Sequence, residues 1–224
     1  ALSSAASDVY KRQALRCFTP EQCVYAISVS HPDKVYRDRT VDFFNQHIEA
    51  AVRLDCDHMV VSTGFAYLDV DAEDAFGWCA EAMGRIARKA EQEGVTLAVE
   101  PFTKYTTHIC NEASQLRRLL RTVNSPRLTG LADTDVIATT AVDTFSTFLD
   151  VIGPENLGHV HFVDGNPGGH LVPGDGVLDL DGALEKLKAI HYTGALGLEV
   201  LDRRYVFAPE AAMKQAMDWY KERI

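Results

Sequence analysis

The chain has no apolar run approaching the roughly 20 residues that a bilayer-spanning helix needs, so no membrane partner is expected. It also lacks a basic cluster: 22 Lys and Arg stand against 32 Asp and Glu, a net charge of −10. Affinity for nucleic acid comes largely from cations neutralising phosphates, so a nucleic-acid partner is not expected either. The five cysteines, at 17, 23, 56, 79 and 110, are odd in number and form no CxxC pair. They read as reduced, mostly buried thiols of a cytoplasmic protein. No GxGxxG joins a first strand to a first helix, and the glycine-rich loop at 164–176 does not end in GK[ST]. The Rossmann and P-loop readings fall with those absences.

The N-terminus lacks the long apolar stretch of a signal peptide, and Lys11-Arg12 follow small residues instead of preceding them. Its DVYKRQ (8–13) resembles an in-frame translation of a transposase end sequence used to prepare DNA libraries. Residues 1–13 are therefore expected to be non-native, and residues 14–224 to be part of a natural chain cut just before Ala14.

From Ala14 onward, short apolar runs alternate with longer amphipathic segments, and no linker divides them. Strands are expected at 14–18, 58–64, 96–102, 128–133, 159–164 and 196–200. Helices are expected at 41–54, 73–94, 111–123, 138–151, 180–190 and 208–223. Near-continuous apolar strands separated by helices imply a parallel sheet covered by right-handed crossovers, hence an α/β fold. A doubly wound sheet and a (βα)₈ barrel both fit that pattern. What ends the strands favours the barrel, whose active sites gather at the C-terminal ends of the strands.

Four consecutive strand candidates finish with metal-ligand residue types: Glu100, Asp133, His161 and Glu199, separated by 33, 28 and 38 positions. Each alone has an ordinary explanation, such as a helix cap or a hydrogen-bonded core histidine. Glu199 within GLEV and Glu100 within LAVEPF are harder to explain that way, because an unpaired carboxylate in an apolar strand costs several kcal/mol. Three carboxylates and one imidazole make a mostly oxygen donor set. It suits Mn²⁺, Mg²⁺ or Co²⁺, with room left for water or substrate oxygens, better than a closed structural Zn²⁺ site.

AVEPFTKY, LTGLAD, GHVHFVDGN…PGDG and GLEV resemble the sugar isomerase/epimerase family built on the xylose-isomerase-like barrel. Within it they are most similar to the ketose 3-epimerases, and CNEA…VNSPRL (110–128) to the fructoselysine (psicoselysine) type. The resemblance covers about residues 14–224. It implies a partial (βα)₈ TIM barrel in which the present strands are the third to the eighth and the first two are missing. A barrel lacking a quarter of its wall would expose strand edges, so poor solubility or inactivity of the chain is expected. The resemblance further implies metal ligation by Glu100, Asp133, His161 and Glu199, with Mn²⁺ the first choice and Mg²⁺ or Co²⁺ as alternatives. Glu100 and Glu199 would also be the catalytic acid/base pair, the substrate a small sugar, and a homo-oligomer a possible assembly.

The chemistry asks for such a set. Inverting C3 of a ketose removes a proton beside the C2 carbonyl and returns one to the other face, through a cis-enediolate. A divalent ion stabilises the developing oxyanion, and two carboxyls flank the carbon. The tagatose-type pattern has a His, a Glu and an Arg where this chain has Val136, Thr106 and Pro167, which argues against free tagatose or psicose. His108 and His170 are instead candidate substrate contacts, and His159 is expected to lie deeper, supporting His161. Hydroxypyruvate isomerase, inosose dehydratase and sugar-phosphate 3-epimerase share the metal framework and are the alternatives within the family. A barrel that binds without turnover, or an inactive fragment, is the alternative outside it.

Overall fold

The computed structural model describes residues 14–21, 26–65, 67 and 69–223. The expected non-native segment 1–13 and Cys23 lie outside these. Among the described residues five strands form one sheet in the order β1-β2-β3-β4-β5: β1 (His58–Ser62), β2 (Thr96–Glu100), β3 (Leu128–Asp133), β4 (Leu157–His161) and β5 (Leu196–Gly197). The helices are α1 (Lys34–Arg53), α2 (Ala72–Glu93), α3 (Ala113–Val123), α4 (Thr134–Thr140), α5 (Phe145–Ile152), α6 (Leu180–Ala189) and α7 (Pro209–Lys221). The fold is α/β, as expected.

Contacts divide the chain into two compact units. The first spans residues up to Glu100 together with Arg118–Gly130. Here β1 and β2 pair in parallel from His58↔Thr96 to Ser62↔Glu100, and β2 meets β3 at Val99↔Gly130. Helix α2 buries Phe76, Cys79, Met83, Ile86 and Ala90, a 3–4 spacing that places them on one stripe. Burying each large side chain contributes about 1.5–3 kcal/mol. Asp71 caps the helix by accepting from the Glu73 and Asp74 amides, and Gly94 ends it at φ +75°. A Cβ at Gly94 would meet no atom within 4 Å, so Gly94→Ala tests backbone strain alone. It is expected to destabilise the protein by about 1 kcal/mol in denaturant titration; no change would mean the cap is not left-handed in solution.

The second unit comprises Pro101–Arg117 and Leu131–Ile224. Leu131, Phe148, Leu149 and Phe162 are fully buried, and Val172 packs with Ala212 and Ala216 of α7 in a smaller cluster that also holds Leu198, Val200, Tyr205 and Tyr220. β4 and β5 pair in parallel, His161 opposite Gly197. Thr134 fastens the end of β3 to the segment after β4: its hydroxyl donates to the Val163 carbonyl (2.6 Å) and accepts from the Val163 amide (2.9 Å).

Several expected elements differ. The run 14–18 is not a strand; it contributes a single parallel bridge, Phe18↔Met59. The helix expected at 138–151 is two helices, broken where Ala141 adopts φ +56° and Thr144 begins α5 with a capping box. Cys56, Cys79 and Cys110 are buried and Cys17 is half-buried, none of the four in a disulfide, and burial pushes Cys110 up to about 12. No helix among the described residues is long and apolar enough to cross a membrane.

Candidate metal centre

Asp133 ends β3 and caps α4 at once. Its Oδ1 accepts from the amides of Asp135 and Val136, each at 2.8 Å, which satisfies two of the free donors at the helix start. That use of one oxygen turns the other, Oδ2, inward. Oδ2 is buried without a hydrogen-bond partner. It faces two imidazole nitrogens: His161 Nδ1 at 3.5 Å and His170 Nε2 at 3.3 Å. Glu199 Oε2 faces the same two nitrogens, at 3.2 Å from His161 Nδ1 and 3.6 Å from His170 Nε2. Burial raises the Asp133 carboxyl, but the two imidazoles outweigh it and hold the group well below the usual carboxylate range. Burial lowers His170, and the carboxylates of Asp133 and Asp135 more than offset that, raising it to about 10.

Asp133, His161 and Glu199, all in the second unit, each offer one ligand atom, and these atoms lie within 4.8 Å of one another, while Glu100 ends β2 in the first unit. The expectation for Glu199 needs correction in one respect. β5 stops at Gly197, so Glu199 stands two residues past the strand, its side chain about a third exposed (32%) and not sealed in an apolar run. Glu100, Asp133 and His161 are buried. Asp133 Oδ2 is sealed from water and makes no hydrogen bond to the imidazole nitrogens facing it at 3.3 and 3.5 Å; a cation among these atoms would stabilise it, so the residues fit a divalent ion.

His159 is buried one pleat away on the same face as His161, their rings edge to face at 5.3 Å. Gly197 makes room for both: a Cβ there would stand 3.0 Å from His159 Nε2 and 3.1 Å from His161 Cδ2. His108 lies in the loop after β2 with its Nε2 buried and lacking a hydrogen bond. His170, the other candidate substrate contact, lies among the carboxylates of Asp133, Asp135 and Glu199.

Two residues that sequence reasoning did not single out shape the loop carrying His170. Asp135, 1% exposed, accepts from the amides of Gly168 (2.6 Å) and His170 (3.0 Å) and sets Oδ2 3.0 Å from His170 Nδ1. A Cβ on Gly165 would overlap Asp135 Oδ1, so only glycine fits there. Asp164 accepts four backbone amides, those of Gly165, Gly174, Gly176 and Leu178, at 2.8 to 3.1 Å. The signal for both was present: a second aspartate in DTD at a strand end, and an aspartate opening a loop of repeated glycines.

Similarity to known proteins identifies the family and the fold. A family model described as the xylose isomerase-like TIM barrel matches residues 12–223. Fructoselysine 3-epimerase of Shigella flexneri is 26% identical over 206 residues, covering 91% of this chain and 74% of that one. In structure, the 3-keto-D-glucoside 4-epimerase of E. coli superimposes with a TM-score of 0.85 at 17% identity, over 99% of this chain and 83% of its own. The IOLI protein, whose structure has a bound zinc atom, does so with a TM-score of 0.77 at 18% identity, over 97% and 79%. The five-stranded parallel sheet is part of a TIM barrel, and the chain belongs to the xylose isomerase-like TIM barrel family.

Proposed function

We propose that the protein is a divalent-metal-dependent sugar epimerase that inverts C3 of a ketose or ketose-amine through a cis-enediolate. The observation that carries this reading is the buried Oδ2 of Asp133, which makes no hydrogen bond, among donor atoms within 4.8 Å of one another, in a chain whose curated relatives include a fructoselysine 3-epimerase. Glu100, Asp133, His161 and Glu199 hold the metal, with Mn²⁺ the first choice and Mg²⁺ or Co²⁺ as alternatives. When bound, the metal supplies Lewis-acid stabilisation of the oxyanion that develops at C2 and C3 of the sugar.

The chain's own groups do the rest. Glu100 and Glu199 are the acid/base pair: one carboxylate removes the C3 proton and the other returns a proton to the opposite face. Glu199, partly exposed, is the one that can exchange its proton with solvent directly. His159 backs His161, and its edge-to-face contact limits how far the His161 ring can turn. His108 contacts the sugar. The protein is cytoplasmic, and a homo-oligomer is compatible with the reading.

The test is solvent exchange. A ketose-amine incubated with the protein and Mn²⁺ in deuterated water is expected to lose its C3 hydrogen signal by NMR, and chelation by EDTA should stop the loss. Exchange that continues at full rate after metal removal would rule out metal dependence, and loss of a different hydrogen would place the chain with the isomerases or dehydratases of the family. Metal binding is checked separately by melting. Mn²⁺ at a hundred times Kd should add about 2.7 kcal/mol of stability, because it binds the native state alone.

A further inference from the structure

His170 occupies an unusual place for a loop residue. It sits at φ +48° in a glycine-rich excursion, yet its side chain is mostly buried (16% exposed) and faces three carboxylates, those of Asp133, Asp135 and Glu199. Four donor atoms form a closed ring: His161 Nδ1 and His170 Nε2 alternate with Asp133 Oδ2 and Glu199 Oε2. The four separations around that ring are 3.5, 3.3, 3.6 and 3.2 Å. Donors that sit about 2.1 Å from one ion stand about 3.4 Å apart in a tetrahedron and about 3.0 Å apart as octahedral neighbours. The observed edges, 3.2 to 3.6 Å, lie close to the tetrahedral spacing. Asp133 Oδ2 makes no hydrogen bond across either of its edges, as expected of a donor aimed at a shared point.

We propose that His170, through Nε2, is a further donor to the divalent cation, held there by Asp135. The inference rests on the metal-dependent reading above and adds a second imidazole to its ligand set. Asp135 is the positioning residue. It pins the loop through the Gly168 and His170 amides and places a carboxylate oxygen 3.0 Å from Nδ1 of His170. An imidazole whose other nitrogen is held by a carboxylate is the usual arrangement of a ligating histidine, because it fixes both ring orientation and tautomer. Imidazole adds more to the binding of Co²⁺ or Zn²⁺ than to that of Mg²⁺, so a two-imidazole site discriminates among cations in a way that an oxygen-rich site does not.

The experiment titrates the chelator-treated protein with Co²⁺ and separately with Mg²⁺ by calorimetry, and records the visible spectrum of the Co²⁺ form. The variants are His170→Asn, which tolerates the left-handed backbone but is too short to reach the ion, and Asp135→Asn, which keeps the shape. Wild type should bind both ions. His170→Asn should weaken Co²⁺ at least tenfold, shift the Co²⁺ bands, and change Mg²⁺ affinity by less than about threefold; Asp135→Asn should weaken Co²⁺ by about 10–100-fold. Unchanged Co²⁺ affinity and spectrum in a folded His170→Asn would overturn the inference, even with a raised KM for the ketose, and would make His170 a substrate contact only. Failure of wild type to bind either ion would sink the metal-dependent reading itself, and this inference with it.

Discussion

Glu199→Gln is expected to slow deuterium exchange at the ketose C3 by about 10²- to 10⁴-fold, the usual span for losing a positioned acid or base. The substitution keeps the shape and leaves a carbonyl oxygen able to touch the cation, so sugar binding should survive. Two measurements separate these effects: single-turnover exchange followed by NMR, and sugar affinity by calorimetry with metal present. A drop in exchange with near-normal sugar affinity is the signature of a group that moves the proton. If both fall together, Glu199 acts by holding the cation alone. An unchanged exchange rate would remove Glu199 from the reaction altogether.

The residues of this site were readable because each closes a strand or follows one closely, about one βα unit after the last. β2, β3 and β4 end in the structure at Glu100, Asp133 and His161, and in each case an apolar run gives way to one polar residue. β5 was overread. Its apolar letters LGLEV continue to Val200, but Leu198 and Val200 are spent on packing against Val172, Ala212 and Ala216, so the ladder stops at Gly197. Hydrophobicity records burial and does not say whether a sheet or a helix provides it.

The start of α1 was missed for the opposite reason. KVYRDRT carries no apolar stripe, and the helix is held there by polar contacts. Asp33 caps it through the Val35 amide, while Lys34 and Arg85 both grip Asp38. The contact between Asp38 and Arg85 joins residues 47 apart, which no local pattern encodes. Asp135 was in view as the second aspartate of DTD, but its role was hidden for the same reason. Its partners Gly168 and His170 lie 33 and 35 positions away, and only the folded loop reveals that one carboxylate serves them both.

That loop is the most exposed dependency of the site, and Asp164 is what closes it. The Asp164 and Leu171 backbones exchange hydrogen bonds in both directions, at 2.9 and 2.7 Å, so the segment carrying His170 leaves and returns at one point. The Asp164 side chain then takes four amides from the two arms, Gly165 on one and Gly174, Gly176 and Leu178 on the other. Gly176 cannot carry a Cβ without striking Asp164 and the Gly165 backbone. Removing the carboxylate leaves four donors at about 1–3 kcal/mol each if they stay dry, but a loop can relax and admit water, so the whole sum will not be realised. Asp164→Ala is expected to cost about 3–5 kcal/mol, which for a chain of this size lowers Tm by about 10 °C. Co²⁺ affinity should fall with it below the transition, since His170 can be held over the site only while the loop is closed. A loss under about 1 kcal/mol would mean that water replaces the carboxylate at little cost. Full Co²⁺ affinity in that variant would mean that Asp135 alone suffices to hold His170.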